Sequence, residues 1–373
     1  MPTEPVLWVR EDHTKAKHEL LLAFFNKWVS IHSEHFTVRR GGLVRVYDGF
    51  AGPGVYEGGE AGSPRIMLEA LLSNPNLLAR WTEVTYEFSF VEQDPRRAKR
   101  LTEELEALEA AARSDGRWTD RVTWSVTCGR YEEHVPQPVQ GLSALFLFLD
   151  PFGYSHAPMT LTTELVQQPK SDTLIFLPLS FVNRFAGREG QETALDRFFG
   201  TSRWREVPDG PGRPAALLDL FQEQLAEAGL GWTGRFRLKP PEAGNEYFIV
   251  GASGHPSGYE SIKEGFWAVD AVHGEGFVSS RPAPEGQQAL DIEFADPKPD
   301  TGELLLGLKT LFGDAPFTVE EALEYTQTTK YLKTHLKRMT LTPAAKRGDL
   351  EVKRPPGVKQ FPEGRGITLR FVR

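Results

Sequence analysis

Between residues 13 and 35 the apolar positions Leu20, Leu21, Phe24, Phe25, Trp28 and Ile31 recur three and four apart, which predicts a helix with one buried face. Gly41 and Gly42 break this pattern, and a β-branched, aromatic run over 43–47 then reads as a buried strand. A helix is expected at 63–72, with Pro64 in its first turn, where a missing N–H is harmless. The alternation repeats: strand 86–91, helix 95–112, strand 122–127, a short helical turn within 131–135, an entirely apolar strand 144–149, helix 160–167 and strand 173–179. Strands separated by helices predict a mostly parallel sheet covered on both faces, with right-handed crossovers. Ligands of such sheets bind beyond the carboxyl ends of the strands. Asp48, Glu92, Cys128 and Asp150 all fall at such ends.

The rest of the chain is less regular. Residues 187–232 read as a mostly helical insertion or cap, interrupted by Gly and Pro over 208–214. Further strands are expected at 247–252 and from 276 onward. Residues 282–299 are Pro-rich and acidic, as a linker would be. A helix at 318–325, a second at 331–338 and β-like runs at 350–354 and 366–372 outline a winged helix. The predicted division is therefore an α/β domain over 1–281, a linker over 282–303 and a small basic winged-helix-like domain over 304–373.

Charge sharpens that division. Residues 330–373 hold twelve Lys/Arg against three Asp/Glu, a local +9, which leaves −17 for the remainder of the chain. A basic end on an acidic body suggests a surface for a polyanion, although a solvated basic tail gives the same count. Cys128 is the single cysteine, so the chain has neither a disulfide framework nor a cysteine zinc site, as expected of a protein in the reducing cytoplasm. The first ten residues have no apolar signal core, and runs such as 145–149 are far shorter than a membrane span, so no membrane association is expected.

Three strand ends carry the candidate chemistry. The first is Asp48, Gly49, Phe50, Ala51, Gly52, Pro53 and Gly54. Glycines let backbone approach a ligand closely. An acid ahead of them suits a cofactor with a positive aminoacyl group, as in S-adenosylmethionine (SAM), better than a pyrophosphate; a plain Gly/Pro turn is the simpler alternative. The second is Glu92, with Asp94 behind it. A carboxylate there offers two acceptor oxygens to the hydroxyls of a ribose, while Asp94 before Pro95 also fits a helix N-cap. The third is Asp150, Pro151, Phe152 and Tyr154. An acid and a carbonyl would hold an amine to be methylated, and the aromatics would stack on a flipped base. A strand-end turn with packed aromatics is the alternative.

These motifs resemble the three-Cys-motif partner family. The resemblance is carried by His13-Thr-Lys-Ala-Lys-His18, the loop from Asp48 to Gly54, Gly62-Ser-Pro64, Phe90-Val-Glu92 and Asp150-Pro-Phe-Gly153, and extends to His255-Pro-Ser-Gly258, Lys263 and Trp267. It implies a Rossmann-like, SAM-methyltransferase-type domain and a partnership with a radical-SAM-type protein that bears the three cysteines. Two departures stand out. Phe152 and Gly153 replace the second proline and the aromatic of the usual amino-methyltransferase motif. After the third strand, Arg130 stands near the acid that commonly binds the adenine amine, which leaves Cys128 and Glu132 as the nearby candidates.

Lesser candidates are the His13, Lys15, Lys17 and His18 cluster, which would meet the cofactor rim or a phosphate, and Asn183 and Arg184 after the fifth strand. His32 and His35 read as surface residues. In the basic domain Tyr331, Lys333, Lys337 and Arg338 on the second helix, with Lys353, Arg354, Lys359 and Arg365 in the hairpin, would contact phosphates. The leading expectation is a SAM-dependent methyltransferase acting on a nucleic-acid amine. The alternatives are a non-catalytic nucleic-acid-binding partner with a relic fold, and a nuclease or repair enzyme that holds magnesium on Asp48, Glu92 and Asp150.

Overall fold

The computed structural model describes residues 5–73, 75–135, 141–151, 153, 156–167, 170–178, 190–239, 247–278 and 298–372. The chain divides into two units, Met1–Gly265 with Gly276–Arg281, and Phe266–Glu275 with Pro282–Arg373. Residues 266–275, expected in the first domain, thus group with the second unit.

The first unit is built on strands β1 Gly42–Asp48, β2 Val84–Glu92, β3 Val122–Cys128, β4 Ser143–Leu149, β5 Ser171–Leu177, β6 Trp232–Lys239, β7 Tyr247–Ser253 and β8 Gly276–Val278. They pair in the order β3-β2-β1-β4-β5-β7-β6-β8. β1 to β5 are mutually parallel, and β7 runs antiparallel to both β5 and β6. This is the Rossmann-like sheet of methyltransferase type, with its strand order reversing between β1 and β4. The crevice at that switch point, past the carboxyl ends, is where such sheets bind ligands.

Helix α1 (Asp12–Val38) covers one face. Its stripe of Leu20, Leu21, Phe24, Phe25 and Trp28 is fully buried. Phe24 packs 4.7 Å from Phe146 of β4, and Phe25 packs 6.2 Å from Phe88 of β2. Each such aromatic removes enough apolar surface from water to contribute roughly 2–3 kcal/mol. Strand residues alternate between faces, so Leu145, Leu147 and Leu149 of β4 point the other way. They join a core with Leu195, Phe198, Phe199, Leu217 and Phe221. Those side chains come from α6 (Glu192–Phe199) and α7 (Arg213–Glu227), which follow α5 (Met159–Val166). The described part of the expected insertion 187–232 therefore packs into the core, and Trp232 opens a strand. β6 is an element the sequence reading missed. So is α8 (Pro256–Val269). On the first face α2 (Ser63–Leu72), α3 (Pro75–Arg80) and α4 (Pro95–Ser114) complete the early crossovers.

The second unit contains α9 (Gly302–Phe312), β9 (Phe317–Thr318), α10 (Val319–Gln327), a π-helical stretch His335–Leu341, α11 (Thr342–Arg347), β10 (Leu350–Lys353) and β11 (Thr368–Phe371). The strands form an antiparallel sheet in the order β10-β11-β9. Thr318 and Glu321 close a reciprocal capping box at the start of α10. The π-helical widening has a local cause. Pro343 has no N–H to donate, and the hydroxyls of Thr340 and Thr342 donate to carbonyls five residues back, at His335 and Lys337. The second helix expected from 331 starts at 333 instead. Tyr331 precedes it and is buried beside Trp267, whose Nε1 donates to the Lys330 carbonyl. The linker expected over 282–303 lies mostly outside the described residues.

Candidate functional site

β1 ends at the switch point with Asp48, which is wholly buried. Its Oδ1 accepts the Phe50 N–H at 3.0 Å and its Oδ2 accepts the Ser63 hydroxyl at 2.7 Å. The side chain thus clamps the loop between β1 and α2. Burial pushes its pKa up to about 7, against the pull of those two hydrogen bonds. Asp48 itself lines neither of the two cavities that flank the loop. The loop itself does line them. Gly52 and Gly54 have φ of +63° and +75°, a region that favours glycine. A Cβ on Gly54 would also come within 2.6 Å of Leu101 on α4, so the loop lies directly on that helix.

Glu92, at the end of β2, is buried behind the loop. It accepts the Gly52 N–H at 3.0 Å and the Asp94 N–H at 2.7 Å. Burial raises its pKa, and the backbone bonds and Arg97 oppose that rise. Asp94 is the N-cap of α4. It accepts the Arg96 N–H and pairs with the Arg96 side chain, which holds its pKa at about 2. Asp94 is thus the N-cap expected of it. A narrow cleft, with room for little more than a water molecule, opens beside Glu92, bounded by Gly49, Phe50 and Gln93, by residues 129–132 and by His156. Tyr131 forms one wall: a Cβ on Gly49 would lie 2.7 Å from its ring, so glycine is needed there for the aromatic to close on the loop. Cys128 is exposed and lines neither cavity. Arg130 and Glu132 both line the cleft, and Glu132 is paired at 3.3 Å with Arg197 of α6.

A wider cavity of about 340 Å³ lies across the loop, between residues 50–56, Asp150 and the start of α1. Here the buried Lys17 forms an ion pair with Asp150 Oδ2. The Lys17 ammonium also lies 5.0 Å from the centre of the Phe176 ring. Tyr247 stacks on Phe176 at 5.3 Å and His13 stacks on Tyr247 at 5.5 Å, extending an aromatic wall along the same side. His18 is buried 5.5 Å from Tyr56, and its Nδ1 finds no hydrogen-bond partner among the described residues. Burial, then the charges of Lys17 and Arg10, depress its pKa well below the usual imidazole value. The sequence cluster thus splits. His13, Lys17 and His18 reach the rim, while the exposed Lys15 pairs with Glu19. Pro151 is buried beside Asp150. Phe152, Tyr154, Asn183 and Arg184 lie outside the described residues.

The other candidates lie elsewhere. His32 is buried, not superficial, with its Nε2 3.4 Å from Asp172. His255 is at the end of the sheet away from the loop, just past β7. Lys263 is buried on α8 and paired with Glu260 at 3.0 Å. In the second unit Tyr331 belongs to the core, so its expected phosphate contact is excluded. Lys337 pairs with Glu363, Arg354 lies over Phe361, and Arg338 and Lys353 are exposed; Lys333 is half-buried. Among the described residues no three His, Cys, Asp or Glu side chains are gathered as a metal site would need. Nor is any described helix long and apolar enough to cross a membrane.

No protein-family model matches this chain, and no curated protein is similar to it. Among solved structures it is similar to the O-methyltransferase TomG from Streptomyces achromogenes in complex with SAM, at 14% identity and a TM-score of 0.30, over 61% of this chain and 79% of that one. It is also similar to precorrin-6y C5,15-methyltransferase from Geobacter metallireducens, at 11% identity and a TM-score of 0.28, over 67% of this chain and 98% of that one. A third is Trm1 from Pyrococcus horikoshii with SAM, at 10% identity and a TM-score of 0.30, over 69% and 62% respectively. Likeness this remote says nothing about chemistry. The fold follows from the strand order, and the resemblance to the three-Cys-motif partner family rests on its quoted motifs alone.

Proposed function

We propose that the first unit is a SAM-dependent methyltransferase acting on an amino group of a nucleic acid, and that the second, a basic winged-helix-like module, grips the polymer. One observation carries this reading. On a sheet of methyltransferase strand order, the glycine loop after β1, Glu92 after β2 and Asp150 after β4 flank a single switch point.

The residues present fit SAM. A carboxylate has about four acceptor positions, so Glu92 keeps capacity for ribose hydroxyls after taking two backbone N–H groups. The orphaned Nδ1 of His18 is a buried polar atom that a bound molecule would satisfy. Bound SAM supplies an electrophilic methyl group. Lys17 fixes Asp150 through Oδ2, and Oδ1 has no partner among the described residues. That oxygen would accept an N–H of the target amine and orient its lone pair. The aromatic wall of Phe176, Tyr247 and His13 offers apolar surface beside it.

Calorimetric titration with SAM tests the cofactor, and transfer of labelled methyl from SAM to DNA or RNA tests the reaction. Absence of both binding heat and thermal shift sinks the proposal. A binding-only reading draws support from the Lys17–Asp150 pair, which already occupies one oxygen of the expected catalytic acid; SAM binding without transfer to any nucleic acid selects it. The radical-SAM-type partner implied by the resemblance belongs to the proposal as well, and co-purification checks it.

A further inference from the structure

At the opposite end of the first unit's sheet, where β5 begins and β7 ends, a third, open cavity has a volume of about 530 Å³. Ile31, Val166 and Leu230 give it an apolar wall, and His32, His35, Lys170 and His255 line the rest. Along α1, His32 and His35 are roughly 25 Å from Lys17 at 1.5 Å per residue, so this cavity is separate from the glycine-loop rim.

Lysine and imidazole nitrogens crowd its polar side. Lys170 Nζ lies 2.5 Å from His35 Nε2. Burial lowers the pKa of both groups. The charges of Lys170 and Arg39 lower His35 further, and Arg39 lowers Lys170. Among the described lining residues Asp172 is the one acid, and it is already engaged. Its Oδ2 accepts Trp28 Nε1 at 2.7 Å and faces His32. His255 Nδ1 accepts the Ser257 N–H at 3.1 Å, which leaves the ring proton on Nε2 as a donor. The N-terminus of α8 opens onto the cavity through Ser257 and Gly258, adding the positive end of a helix dipole. Lys170 itself has a φ of +62°, a strained backbone for a residue with a side chain and one that clusters at ligand sites.

We propose that this cavity binds a small organic carboxylate, its apolar body against Ile31, Val166 and Leu230 and its oxygens on Lys170 and the Nε2–H of His255. Among the described lining residues Lys170 alone has a permanent positive charge, which matches a monoanion better than a phosphate dianion. The apolar wall favours an organic body over an inorganic ion. This inference is independent of SAM binding at the other rim.

Isothermal titration of the full chain with benzoate, and with inorganic phosphate at the same ionic strength, tests it. Benzoate should give saturable heat, with phosphate weaker by about tenfold or more. Lys170→Ala should weaken benzoate by about tenfold, and Lys170→Arg should retain it. Ile31→Asp, at a half-buried position, should abolish binding by repulsion while leaving Lys170 in place, so the test does not depend on one variant folding. No heat with benzoate overturns the proposal. So does heat unchanged in both Lys170→Ala and Ile31→Asp, or phosphate binding as tight as benzoate.

Discussion

The ammonium of Lys17 and the carboxylate of Asp150, 133 residues apart in the chain, form an ion pair inside the rim of the sheet. Burial pulls the Lys17 pKa down, but Asp150, Tyr56 and Asp48 together outweigh it and the net shift is upward. A lysine raised above its unfolded value contributes stability at every pH below about 10.5 and loses it only as pH climbs through the folded value. Between pH 5 and 9 the contribution of the lysine is therefore constant. Lys17→Met should strand the carboxylate and cost about 3 kcal/mol in urea unfolding, because breaking one side of a buried pair leaves its partner uncompensated. Adding Asp150→Asn should restore most of that loss. A double variant no more stable than Lys17→Met would show that the two side chains are not coupled.

Asp48 gives a pH signature of the opposite kind. Its folded pKa of about 7 lies above the ordinary carboxylate value. Between about pH 4 and pH 7 the folded state then holds a proton that the unfolded state has released, so stability falls as pH rises through that window. The full effect is at most about 4 kcal/mol, from a little over 1 kcal/mol per pKa unit. Glu92, also raised by burial, adds in the same direction. His18, with its depressed pKa, acts the other way below about pH 6.5. The clean observable is thus a difference: Asp48→Asn should be more stable than the parent at pH 8 and lose that advantage by pH 5. Equal melting-temperature profiles for the two proteins would refute the buried-acid assignment.

That role for Asp48 shows where sequence reasoning reached and where it stopped. The early strands and α1 were legible because burial of one face imposes a period, and the acids at the ends of β1, β2 and β4 follow from that register. The direction of the Asp48 side chain was not. Its partner is Ser63, fifteen residues on, and the only trace was a serine at the start of a predicted helix. β6 was missed although Phe236 and Leu238 alternate with exposed Arg235, Arg237 and Lys239, because so short a polar-rich run also reads as loop. The Lys17–Asp150 pair leaves no periodic signal at all. Its lysine was flagged only as one member of a basic cluster.

The glycines of the loop should separate by mechanism. Gly52→Ala meets only the Trp8 ring, at 3.4 Å, and incurs the positive-φ strain of roughly 1 kcal/mol. Gly54→Ala adds a methyl 2.6 Å from Leu101 and should cost about 2–4 kcal/mol. Thermal melts of the two variants check the ranking, and equal losses would mean that the loop can lift off α4.

Glu92 decides whether the cleft beside β2 holds a cofactor or merely braces the loop. Its two oxygens accept the Gly52 and Asp94 N–H groups. In Glu92→Gln one of those N–H groups faces an amide NH2, and an unsatisfied buried donor costs about 1–3 kcal/mol. The charge that would attract ribose hydroxyls is lost as well, so the SAM Kd should rise about tenfold or more beyond what the stability loss explains. Glu92→Asp keeps the charge but is one methylene too short to span both N–H groups, so it should lose stability while keeping more of the SAM affinity than Gln. Melting temperature and SAM titration of the two variants separate the roles. If both lose stability and SAM affinity is unchanged in either, Glu92 is a brace, and recognition of the ribose must come from residues 129–132 on the other side of the cleft.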